Sequence, residues 1–170
     1  MYVDTYFTNA APPCSSPTIT KIAIELCLFL NAKEILTPQK EKNNRKQNVV
    51  EIGSGAGLAA IYAASCGANV LATDGNIEVL DLLMKNVKEN SQVTQTGGNV
   101  KTTQWMWGNE KQFETICEKM PQVDLLMGSD VIFEVKENSL FDLKKVLLQC
   151  KNAFPKMQII LSYNSRDLQR

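Results

Sequence analysis

Apolar and polar positions follow two different periods along this chain. From Asn48 onward, short apolar runs near 49–53, 69–74, 99–106, 123–129 and 157–163 predict strands. Between them, segments near 57–66, 76–90, 110–119 and 138–152 carry apolar residues at helical spacing, as Val79, Leu80, Leu83 and Val87 do. Strands and helices alternating in this way predict an α/β fold, a Rossmann-like doubly wound and mostly parallel sheet with helices on both faces. Upstream, Ser16 and Pro17 supply a cap and a first-turn residue for an amphipathic helix reaching about Leu36. Its buried stripe is Ile19, Ile22, Ala23, Leu26, Cys27 and Leu30. Residues 1–16 read as an irregular segment, and 17–170 as a single domain. The polar stretch TPQKEKNNRKQN clusters Lys40, Lys42, Arg45 and Lys46, which fits a solvated linker or, alternatively, a basic substrate-docking loop.

Open sheets of this kind bind ligands outside the carboxyl ends of their strands, near the switch point. The residues ending the expected strands are Gly53, Asp74, Trp107, Asp130 and Asn164. The most informative stretch is VVEIGSGAGLAAIYAASCGANVLATD: a strand, a glycine turn, a helix, and a second strand ending in an acid. The spacing Glu51-x-Gly53-x-Gly55-x-Gly57 puts Leu58 where a dinucleotide fingerprint needs its third glycine. No Lys-Ser or Lys-Thr pair follows to hold a triphosphate. The remaining expectation is a turn for S-adenosylmethionine, with Glu51, Gly53, Ser54, Gly55 and Gly57 as cofactor-binding candidates. Glycines let the backbone approach a bulky nucleoside. Asp74, ending the second strand, is placed to accept from both ribose hydroxyls; the plainer alternative makes it the cap of the helix starting near Asn76.

Composition narrows the chemistry. With 170 residues and 44% hydrophobic content the chain suits one domain with a sizeable core. Its 18 basic and 18 acidic residues cancel, so no global field draws it to nucleic acid or an anionic membrane, and neither is an expected partner. Histidine is absent, which removes Ser-His and Cys-His nucleophilic catalysis and imidazole metal sites. Five dispersed cysteines, Cys14, Cys27, Cys66, Cys117 and Cys150, form no C-x-x-C pair, so neither a disulfide framework nor a bound metal is expected. A reducing compartment is the expected location, cytoplasmic with the nucleus as the other option. No run reaches the roughly 18 apolar residues of a membrane span, and the first residues lack a signal-peptide layout.

Several residues then carry a resemblance. The VVEIGSGAGL loop, Trp107-Gly108 after the third strand, Ser129-Asp130-Val131-Ile132-Phe133 after the fourth and Ser165-Arg166 after the fifth resemble the seven-strand methyltransferases that modify protein lysines, a few of which modify histidine. The Asp-x-x-Phe element is the most specific part. The resemblance runs from the first helix to the end, and it implies the class I methyltransferase fold, S-adenosylmethionine as cofactor and a protein substrate with a target lysine. It implies that Trp107 lies against the cofactor, where an indole face stacks on the adenine; burial in the core is the alternative. Asp130 is expected to orient the incoming amine, or else to cap the next helix. Phe133 is expected to wall an aromatic slot for a cation, without the hydroxyl bond that a tyrosine in many family members provides. Ser129 is a further candidate cofactor contact, though packing suits it too, and Met127, Trp105 and Met106 are expected to pack.

The chemistry implied needs no imidazole. A sulfonium carries an activated methyl, so positioning a neutral amine in line does most of the catalysis. Attraction between Asp130 and an ammonium would raise the lysine pKa, so orientation is the expected role of Asp130. Two features depart from the resembling family. The tryptophan usual near Ser15–Thr18 is absent, and the sequence stops at Arg170, ahead of the usual C-terminal β-hairpin. The fold is therefore expected to be truncated before that hairpin. The strand carrying Gln158, Ile159, Ile160 and Leu161 would be an exposed apolar edge open to pairing with another chain. A small-molecule methyltransferase and a non-catalytic cofactor-binding scaffold remain as alternative functions.

Overall fold

The computed structural model describes residues 17–36, 45–92, 97–132 and 139–163. The chain runs α1 (Pro17–Ala32), β1 (Asn48–Ile52), α2 (Leu58–Ser65), β2 (Asn69–Asp74), α3 (Ile77–Glu89), β3 (Asn99–Gln104), α4 (Glu110–Lys119), β4 (Leu125–Ser129), α5 (Ser139–Ala153) and β5 (Gln158–Ser162). The five strands form one sheet in the order β3-β2-β1-β4-β5, every neighbouring pair parallel. β1 is central, so the strand order reverses between it and β4.

Alternation along each strand builds two cores. Val49, Val70, Ala72, Leu125 and Met127 face α1, α2 and α3, meeting Leu26, Leu30, Ala60, Ala64, Leu80 and Leu83. Val50, Leu71 and Leu126 point the other way, toward Phe113, Ile116, Leu143, Val146 and Cys150 of α4 and α5. Both faces of the central strands are covered, which is why they read as unbroken apolar runs rather than alternating ones.

Three expectations shift. α1 stops at Ala32, short of Leu36, because Glu34 takes a left-handed conformation (φ 51°) and a Schellman pattern of bonds, Ile35 N–H to Leu30 C=O and Glu34 N–H to Asn31 C=O, closes the end. β3 ends at Gln104 and not at 106. Met106, expected to pack, is 57% exposed, whereas Trp105 is fully buried with its ring 5.6 Å from that of Phe113. Ser16, Cys14, Lys40, Lys42, Phe133, Asn164, Ser165 and Arg166 lie outside the described residues.

The amino ends of the strands are clamped separately. Arg45 donates twice to the Asp124 carboxylate (2.9 and 2.7 Å), Asp124 accepts from the Asn48 N–H (2.8 Å), and Lys46 donates to the Gly97 carbonyl. Burial would raise the Asp124 carboxyl; the Arg45 guanidinium and Asn48 N–H outweigh it and hold it below its usual range. Arg45 and Lys46 thus serve the end of the sheet opposite the glycine turn, which removes them from any docking loop at the site. The four described cysteines are free, and burial pushes the Cys27 and Cys150 thiols up to about 12, where they are inert. No described helix is long and apolar enough to cross a membrane.

Candidate functional site

The turn after β1 rests on glycine at three positions for different reasons. Gly57, the residue preceding α2, has φ 86°, and a Cβ there would sit 2.2 Å from Leu83 Cδ1. Gly55 has φ 52° and nothing within 4 Å of where its Cβ would be, so bare backbone faces open space. Gly53 opens the turn, with Val131 closing over it: a Cβ would meet Val131 Cγ1 at 2.9 Å. The segment just beyond β4 therefore packs directly on the glycine turn.

Polar side chains from β2 and α3 hold this turn. Asp74, at the end of β2, accepts from the Gly55 N–H through one carboxylate oxygen (3.1 Å) and from the Asn76 N–H through the other (3.0 Å). The helix cap of α3 is Asn76, whose side chain accepts from the Glu78 N–H (2.9 Å), so Asp74 is not the cap. Thr73 donates its hydroxyl to the Glu51 carbonyl (2.7 Å) and its N–H to Ser54 Oγ (3.1 Å). Asn86 on α3 donates to the Ala56 carbonyl (2.9 Å) while only 2% exposed. In the sequence, the signal of Asn86 is no more than an amide set in the apolar stripe of α3.

Glu51 lies beneath the turn and is 1% exposed. Across the ladder it is flanked by Ala72 and Met127, on the side covered by α1 and α2. Burial pushes its carboxyl up to about 8; hydrogen bonds from Ser54 and the Ala60 N–H pull it down, and Asp74 pushes it further up. Its Oε2 is buried and has no hydrogen-bond partner among the described residues.

On the other side of the switch point, Asp130 follows β4, is 7% exposed and takes a left-handed conformation (φ 54°). Its N–H donates to the Ser162 carbonyl of β5 (2.7 Å). An aspartate tolerates this region better than most side chains, at a cost of roughly 1–2 kcal/mol. The described part of α5 starts at Ser139. Ser129 ends β4, half-buried, opposite Ser162 in register. Trp107 lies in the turn after β3, beside Gly108 (φ 87°), half-buried and packed on the core beneath α4 and α5. It is neither fully core nor fully free. The structure thus gathers Glu51, Gly53, Ser54, Gly55, Gly57 and Asp74 into one turn with Val131 and Asp130 at its flank.

A family profile described as lysine methyltransferase matches residues 16–170. The chain belongs to that family. S-adenosylmethionine is the cofactor of such methyltransferases. A protein-lysine methyltransferase, METTL21E from Bos taurus, is 32% identical over 126 residues, 74% of this chain and 40% of the bovine protein. The histone-arginine methyltransferase METTL23 from Xenopus laevis is 29% identical over 96 residues, 56% of this chain and 38% of that protein. The family member described here thus spans less than half the length of these curated relatives. Among solved structures, an S-adenosylmethionine-dependent methyltransferase from Agrobacterium tumefaciens superposes with a TM-score of 0.58 at 19% identity, covering 85% of this chain and 45% of that one. That likeness shows the fold: the class I methyltransferase sheet, with helices on both faces.

Proposed function

We propose that this chain transfers the methyl group of S-adenosylmethionine to the side-chain nitrogen of a lysine on a protein substrate. The observation that carries this is the junction at Gly53 and Val131, which sets the glycine turn of β1 against the segment that presents Asp130.

The residues suit the cofactor. Gly55 offers backbone without a side chain, and the Asp74 carboxylate, with one N–H on each oxygen, keeps lone pairs for two ribose hydroxyls. Trp107, half-buried in its turn, keeps part of its indole available for stacking on the adenine, and Ser54 and Ser129 line the ends of β1 and β4. The bound cofactor supplies an activated methyl on a sulfonium. The chain's part is to hold the acceptor: Asp130 accepts a hydrogen bond from the amine and fixes its direction, and the amine's proton passes to water before transfer.

The test is transfer from methyl-labelled cofactor into lysate proteins, with the labelled residue identified by mass spectrometry. Label on lysine supports the proposal. Label on arginine, or only on small molecules, replaces it; cofactor binding without transfer turns the chain into a scaffold. The partner side of the proposal extends to β5, whose outer edge is unpaired in the described sheet and whose Ile159 is 37% exposed. A strand from another chain would satisfy it. The free, buried thiols accord with a reducing location, cytoplasmic or nuclear.

A further inference from the structure

Glu51 is an acid in a place that disfavours charge. Its neighbours across the ladder are Ala72 and Met127, the helices over it contribute Cys27, Ala59 and Ala60, and its Oε2 has no partner among the described residues. The described titratable groups that act on it are Asp74 from β2 and the Cys27 thiol from α1, neither of which is a cation. The start of α2 offers it one N–H, from Ala60, and Ser54 one hydroxyl. A buried carboxylate without a cation is costly, and such a group keeps its proton instead. The carboxyl lies beneath the turn, within hydrogen-bonding reach of Ser54 in the turn and of the Ala60 N–H at the start of α2.

We infer that binding of the cationic cofactor at this turn is coupled to release of one proton from Glu51 to solvent. The inference rests on the cofactor assignment proposed above and goes beyond it. In the cofactor-free chain Glu51 is a neutral carboxyl; a positive ligand seated on the turn supplies the missing counter-charge, the O–H bond breaks, and the proton leaves through solvent while the carboxylate stays. The affinity then depends on pH by linkage, rising up to tenfold per pH unit until the free carboxyl itself ionises, near 8.

Titration calorimetry of the whole chain with S-adenosylmethionine, in buffers of different ionisation enthalpy, counts that proton. The expected result is release approaching one proton at neutral pH, fading at alkaline pH, with the affinity levelling off over the same range. Glu51→Gln should bind with no proton release and a flat pH dependence. A second measurement needs no variant: in wild-type protein carrying carbon-13 glutamate, the infrared band of a protonated buried carboxyl should be present at neutral pH and vanish on adding cofactor. Binding without proton exchange, or a band that persists in the complex, overturns the coupling and leaves the cofactor assignment standing. Absence of any binding overturns both.

Discussion

The two flanks of the switch point are built differently. On the β1–β2 flank the turn is pinned by polar bonds to β2 and α3: Asp74 to Gly55, Ser54 to Thr73 and Asn86 to Ala56. On the β4 flank, Asp130 stands in a left-handed conformation just past the strand, its N–H bonded to the Ser162 carbonyl of β5. The contrast fits the two tasks. A cofactor of constant shape rewards a rigid cradle made of backbone, whereas an acceptor is met by a side chain set just beyond a strand end.

Substitutions can pull these flanks apart. The largest effect is expected from Gly57→Ala, where the new methyl collides with Leu83 and the backbone is left-handed; overpacking and φ strain together should cost roughly 2–5 kcal/mol, read from chemical denaturation. Near-wild-type stability would mean that the turn is looser than its bonds imply. Asp130→Asn keeps a residue tolerant of positive φ, and should reduce turnover about 100-fold or more while cofactor affinity stays within a few-fold. If both fall together, the division between flanks is wrong. Asp74→Ala should do the reverse, weakening cofactor binding by roughly 1–3 kcal/mol in calorimetry.

Asn86→Ala leaves the Ala56 carbonyl without its donor and should lower stability by about 1 kcal/mol, again on the cofactor flank. The smallest effect belongs to the opposite end of the sheet. Arg45→Ala removes an exposed ion pair worth roughly 0.2–1 kcal/mol. Because Asp124 is held below its usual range, this contribution is present above the ordinary aspartate pKa and is lost as pH falls through the lowered value. Denaturation curves of variant and wild type should therefore converge in acid, and a gap that persists there would point to packing rather than charge.

How much of this was legible in the sequence follows from where the information resides. Strand and helix periods placed all ten described elements, since a parallel sheet covered on both faces leaves continuous apolar runs. The glycine turn was legible because glycine at Gly55 and Gly57 answers a backbone demand that no neighbour in sequence can mask. Ends were harder. Glu34 carries no mark of a helix terminator, and Met106 resembles a core residue until one sees that β3 has already stopped at Gln104. Asn86 and the φ of Asp130 belong to three-dimensional context: one depends on a carbonyl thirty residues away, the other on a rung donated to β5.

Every described strand pair is parallel, so no hairpin joins sequence neighbours and each ladder must bridge at least a helix. Contact order is correspondingly high, and loop-closure entropy must be spent before any rung forms. The β1–α2–β2 unit closes the shortest such loop and already contains Glu51, the glycines and Asp74, whereas Asp130 joins only after β4 has crossed the sheet to pair with β1. The cradle would then assemble early in folding and the acceptor side late, which makes a cofactor present during synthesis a natural chaperone for this chain.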